Sequence, residues 1–183
     1  MTYFLGQVCG ILATIACITV PMCKTKCRML ADATAVNFLM CMNYILIGQV
    51  GAAAFVAFVA TVQSTCSLIH TLRKKEESHI EKGLFLILYL VFGFYGVFHA
   101  PDFELALTVH TFVQFLPVLG SMLNMCFVYT RNEKTARWFL LATNGVWALY
   151  SAAVGAASFF GQFFTVLSAS ASIYRYREKA VQE

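Results

Sequence analysis

Asn43, Gln63, Asn124, Asn144, Trp147 and Gln162 are amide and indole side chains set inside runs of otherwise apolar residues. An amide carries donors and acceptors together, and an indole one donor, so several of them turned to a common interior could hold a polar solute by hydrogen bonds. Their surroundings repeat at helical intervals. Gln114, Pro117, Ser121 and Asn124 form one stripe, and so do Gln7, Gly10 and Thr14; Gln63, Ser67 and His70; Asn144, Trp147 and Ser151; and Gln162, Thr165 and Ser172. The competing reading is glue: small residues let helices approach, and interhelical hydrogen bonds add about 0.6 kcal/mol each. Glue suits the Ser- and Ala-rich stretch 156–172. It suits the large amides less, because a dry interface rarely completes their several hydrogen bonds. Pro117 has no N–H to donate and must leave a carbonyl unpaired, so with Gly120 it marks a hinge.

Helices in lipid must position these groups. Of the 183 residues 60% are apolar and 12% charged, with a mean hydropathy of +0.71, against about 25% charged in a soluble domain. A bilayer core needs roughly 20 apolar residues per helix. Seven stretches qualify, near Tyr3–Met22, Met29–Gly48, Val50–Leu72, Gly83–Phe98, Thr108–Thr130, Trp138–Val154 and Gly155–Tyr174. Spans two and three turn at Gly48–Gly51 and spans six and seven at Gly155, as tight helical hairpins.

The basic residues fall in four groups: 24–28, 73–82, 131–137 and 175–179. With seven spans all four lie on one face, so the N-terminus is expected outside and the C-terminus in the cytoplasm, each group anchoring its loop next to anionic lipid. No nucleic-acid surface is expected from such short loops. Cys9, Cys17, Cys41, Cys66 and Cys126 lie within spans and Cys23 and Cys27 at the basic edge, which argues against a disulfide framework. No span centre holds a charge, which favours passive facilitation over pumping; Asp32 fits the positive N-terminus of span two. His99, Asp102, Glu104 and His110, in or beside an outer loop, need no metal to explain them. No zinc-protease helix, phosphate-binding Gly loop or Gly-x-Ser-x-Gly occurs, so an enzyme is not expected.

An offset of 110 lays Gln7, Gly10, Thr14 and Lys24 on Pro117, Gly120, Asn124 and Lys134; an offset of 107 lays Asn37 and Gly48 on Asn144 and Gly155. The chain thus divides into a three-helix bundle (1–72), a loop, joining helix and outer loop (73–107), a second three-helix bundle (108–174) and a tail (175–183). A single joining span gives both halves one orientation, a parallel repeat with its site at the midplane. The stretches FHAPDFELALTVHTFVQFLPVLG (98–120) and NGVWALYSAAVGAASFFGQFFTVLSASASIYRYR (144–177), with TCSLIHTLRKK (65–75), resemble the bacterial inner membrane protein family typified by YgjV. Its 3+1+3 plan resembles the SWEET and PQ-loop transporter group, although this chain has no Pro-Gln pair.

The expectation is an all-α, seven-span inner-membrane facilitator of a small polar solute. It would work by alternating access, around Asn43, Gln63, Asn124, Asn144, Trp147 and Gln162. Its partners would be the lipid bilayer and the solute, with a homo-oligomer allowed, no cofactor and no metal. The alternative is a non-transporting receptor or assembly protein whose seams only pack.

Overall fold

The computed structural model describes residues 1–48, 51–99, 109–153 and 158–182, with side chains for all of these except 109–110 and 176–182. The described residues form seven helices: α1 (Thr2–Thr19), α2 (Lys26–Leu46), α3 (Ala52–Leu72), α4 (His79–Phe98), α5 (Val109–Tyr129), α6 (Glu133–Ala153) and α7 (Ser158–Gln182). Local chemistry sets their ends. Pro21 cannot continue the hydrogen bonding of α1, and the chain tightens there into a 3-10 turn, Val20–Met22. Thr25 Oγ1 accepts from Arg28 N at 3.4 Å to start α2, and Ser78 Oγ accepts from Ile80 N at 3.2 Å to start α4. Asn132 Oδ1 does the same for α6, taking Lys134 N at 2.9 Å. At the end of α3, Lys74 adopts φ 54°, and Lys75 N reaches back to His70 O at 2.9 Å, a Schellman closure built on a non-glycine residue. Gly48, at φ 81°, ends α2 with the residue type that conformation favours.

The tail expected from residue 175 is a continuation of α7, which runs on to Gln182. Its Arg, Glu, Lys and Ala residues are good helix formers, and neither Pro nor Gly interrupts them. The expected turn at Gly155, Gln49 and Val50 of the first hairpin, and the outer-loop residues Asp102 and Glu104 lie outside the described residues, as does the side chain of His110.

Neighbouring helices close a ring: α1 packs on α2, α2 on α3, α3 on α5, α5 on α6, α6 on α7, and α7 returns to α1. α4 lies outside, in the groove between α3 and α5. The seam between α4 and α3 is close because Gly96 faces the backbone of Ala52; that between α7 and α1 is close because Gly161 faces Thr14. The outward surface is apolar, with Phe4, Ile11, Ile87, Val91, Leu149 and Leu167 all exposed, as lipid rather than water demands.

Among the described residues five helices are long and apolar enough to cross a membrane: Thr2–Met22, Lys26–Leu46, Ala52–Leu72, His79–Phe98 and Thr111–Tyr129. As described, α6 and α7 fall below that measure. α6 turns Arg137, Thr143, Asn144 and Ser151 inward, and α7 turns Ser158, Gln162, Thr165 and Ser172 inward, all of them buried.

A candidate solute site at the centre of the helix ring

A cavity of about 60 Å³ lies inside the ring, lined from α1, α2, α3, α5, α6 and α7. Its apolar wall includes Val36, Met40, Val56, Phe127 and Leu140; its polar wall includes Asn37, Ser121, Asn124, Thr143, Asn144 and Gln162. That volume admits a few water molecules and falls well short of the roughly 300 Å³ at which small-molecule pockets begin.

Three residues on this wall carry a buried polar atom with no hydrogen bond of good geometry among the described residues: Asn124 Nδ2, whose side chain lies by the Tyr89 hydroxyl, Thr143 Oγ1 and Gln162 Oε1. These residues are 8%, 5% and 5% exposed. One of the atoms is a donor, one an acceptor and one a hydroxyl able to do either. Each unmet buried group costs about 1–3 kcal/mol, more than the about 0.6 kcal/mol that an interhelical bond in a packing seam gains. Asn144 is better provided, with Nδ2 donating to Leu140 O at 2.8 Å and Oδ1 accepting from Cys17 Sγ at 3.4 Å.

Of the residues singled out from sequence, Asn124, Asn144, Trp147 and Gln162 converge on this cavity, whereas Asn43 and Gln63 do not line it. Asn43 Nδ2 donates to Gly6 O at 2.6 Å, tying α2 to α1. Gln63, fully buried, accepts at Oε1 from the Tyr89 hydroxyl at 2.7 Å and ties α3 to α4. Trp147 stacks on Tyr44 with ring centroids 6.4 Å apart and meets Tyr150 edge-on at 5.8 Å. Its indole also lies on the backbone of α5, where a Cβ at Gly120 would come within 2.8 Å of Nε1. Gly120 therefore serves a close approach of α5 and α6. Pro117 is buried in α5, and its carbonyl accepts from Ser121 Oγ at 2.7 Å.

Cys17, Asn37 and Thr143 also line the cavity, and sequence reasoning had not placed them there. Asn37 had a signal, its alignment with Asn144; Cys17 and Thr143 had none, since neither residue type demands a polar environment.

One end of the bundle gathers the basic segments. Lys26 at the start of α2 donates to Phe127 O in the last turn of α5, its ammonium 4.1 Å from the Phe127 ring centroid. Arg137 near the start of α6 donates to Pro21 O at 3.3 Å and Cys23 O at 3.1 Å, just past α1. Ser172 Oγ adds a bond to Pro21 O at 2.8 Å. Arg137 is 3% exposed and Lys26 half-buried, so these two cations are turned inward rather than toward lipid headgroups. The cause is the supply of unpaired carbonyls at helix C-termini, which attract cations. Beside Lys26 opens a second pocket of about 310 Å³, lined also by Lys74, Glu77, Tyr129 and Arg131.

At this end Cys23 Sγ donates to Asp32 Oδ2 at 3.1 Å. Burial, reinforced by the Asp32 carboxylate, pushes the thiol up to about 11. The thiolate is the reactive form, so the thiol is protonated and slow at neutral pH. Alkylation of Cys23 in a Cys27→Ser chain is expected to stay slow through pH 8 and to quicken as pH approaches 11. Asp32→Asn should move that rise to lower pH. A rate already at its plateau by pH 8, read by mass spectrometry, would contradict the assignment.

The family model described as Imp-YgjV, bacterial inner membrane protein, matches residues 4–180. Neither a curated protein nor a solved structure matches the chain.

Proposed function

The chain belongs to the Imp-YgjV family of bacterial inner membrane proteins, and we propose that it passes a small, neutral, polar solute across the membrane by alternating access. The observation that carries this reading is the convergence of Asn124, Thr143, Asn144 and Gln162 on the wall of one central cavity, with Thr143 Oγ1 and Gln162 Oε1 lacking a hydrogen-bond partner among the described residues. Among the described residues no Asp, Glu, Lys or Arg lines that cavity, so none of them would compensate an ion there, and the donor–acceptor mixture suits a solute that both gives and takes hydrogen bonds.

The helix ring supports a two-repeat plan. Exchanging α1, α2 and α3 with α5, α6 and α7 maps the α1–α2, α2–α3 and α1–α7 contacts onto α5–α6, α6–α7 and α3–α5. Gly10 and Gly120, paired by the offset of 110, each face a side-chain N–H group of the next helix, Asn43 Nδ2 and Trp147 Nε1, where an added Cβ would approach to 2.8 Å. In this reading the two halves rock about the central site, all seven helices span the bilayer, and the basic end faces the cytoplasm. The small cavity is then an occluded state, and a receptor or assembly role would leave the polar groups on its wall without a task.

Uptake into proteoliposomes of a panel of labelled neutral solutes, from urea and polyols to monosaccharides and nucleosides, tests the proposal. At least one should enter faster than into protein-free liposomes, and Gln162→Leu should reduce that rate at least about tenfold, the loss of one site hydrogen bond. No flux above the protein-free rate, or full flux in Gln162→Leu, would sink it.

A further inference from the structure

Resting on the transport reading, we infer that Lys26→Phe127 and Arg137→Pro21/Cys23 are a matched pair of latches that hold the basic end of the pathway shut. Each latch has the same construction. A cation near the N-terminus of the second helix of one half donates to carbonyls at the C-terminal end of the first helix of the other half. Exchanging the halves turns one latch into the other, α2 to α5 becoming α6 to α1, so both would part in a single rocking movement. Nothing comparable in sequence distance marks them; the pairs lie 101 and 114–116 residues apart.

The Lys26 latch also sits in the right place to be a gate. The Phe127 ring is fully buried and lines the central cavity, while Lys26, Val128 and Tyr129 line the 310 Å³ pocket at the basic end. The ring, with the ammonium above it, is therefore the partition between the two spaces. A cation bonded to a carbonyl is a bond strong enough to hold this partition and weak enough to be exchanged for water, of which the outer pocket has ample room. Glu77 and Glu133 are the acidic groups near the Lys26 ammonium, and they offer it an alternative partner once it leaves Phe127.

Cys17, which lines the central cavity and donates its thiol to the cavity residue Asn144, reports opening without knowledge of the solute. A charged, membrane-impermeant methanethiosulfonate is applied to either face of sealed vesicles, and mixed-disulfide formation at Cys17 is read by mass spectrometry in the otherwise native chain. Wild type should label slowly from both faces. Lys26→Met, which keeps the stem and loses the donor, should label about tenfold faster or more from the basic face alone. Lys26→Arg, which can still donate, should stay slow. If Lys26→Met does not assemble, as judged by its size-exclusion profile, Lys26→Gln replaces it with the same expectation. An unchanged rate in the uncharged variant, acceleration from the opposite face, or equal acceleration in Lys26→Arg would overturn the latch. Solute flux with no effect of Lys26→Met on Cys17 would leave transport standing and remove the latch. Face-specific opening of Cys17 with no flux of any solute would leave the latch standing and remove transport.

Discussion

Gly161→Val and Gly96→Val are each expected to destabilise the protein by about 3 kcal/mol, the upper end of the usual cost of overpacking, or to prevent its assembly. A Cβ at Gly161 would lie 3.0 Å from Thr14 Cα and 2.9 Å from Thr14 Cβ; one at Gly96 would lie 2.9 Å from Ala52 Cβ and closer still to the Ala52 backbone. Backbone atoms cannot swing aside as a side-chain tip can, so whole helices must separate. Replacing a helical glycine regains only a few tenths of a kcal/mol of propensity with valine, too little to offset that. Gly83, near the start of α4, has nothing within 4 Å of a Cβ, and Gly83→Val should melt close to wild type. Thermal unfolding in detergent, followed by size-exclusion fluorescence, separates the three. Equal midpoints for Gly161→Val and Gly83→Val would show that the α1–α7 seam is loose.

A double-mutant cycle at Gln63 and Tyr89 carries the second large effect. Gln63 is 0% exposed, as is Tyr89, and they share one hydrogen bond between α3 and α4. Gln63→Leu leaves the Tyr89 hydroxyl buried without that acceptor, and Tyr89→Phe leaves Gln63 Oε1 without its donor, each costing about 1–3 kcal/mol. Removing both partners leaves nothing unsatisfied at that contact, so the double variant should be more stable than the sum of the singles by at least about 1 kcal/mol. Strict additivity of melting shifts would mean that the pair is not coupled. Flux should follow stability for Gln63→Leu, in contrast to Gln162→Leu, where flux should fall while the midpoint stays near wild type.

That contrast shows what the sequence could and could not convey. Length and hydropathy located the helices to within a few residues of Thr2, Leu72 and Phe98, because lipid imposes one period and one length. A polar residue in such a helix has to face inward, so Asn124, Asn144 and Gln162 were legible as interior groups. Whether an interior amide reaches the central cavity or a neighbouring helix depends on rotation about the helix axis by a fraction of a turn. Asn37 and Asn43 are six residues apart on α2; the first lines the cavity, and the second bonds Gly6 O of α1. No feature of either residue type distinguishes them. The inward turn of Lys26 and Arg137 was hidden for a similar reason: loop cations look alike until the carbonyl they cap, over 100 residues away, is known.

The closing of the ring through α1 and α7 bears on biogenesis. α1 meets two neighbours, and one of them, α7, is the last described helix to be translated. Until α7 emerges, the edge of α1 that will receive Gly161 and Ser168, with the following turn that will receive Ser172, lacks that protein partner. Lipid or an insertion factor must shield that edge during synthesis. The central cavity, which needs Gln162 for its wall, can form only after the ribosome has finished with most of the chain.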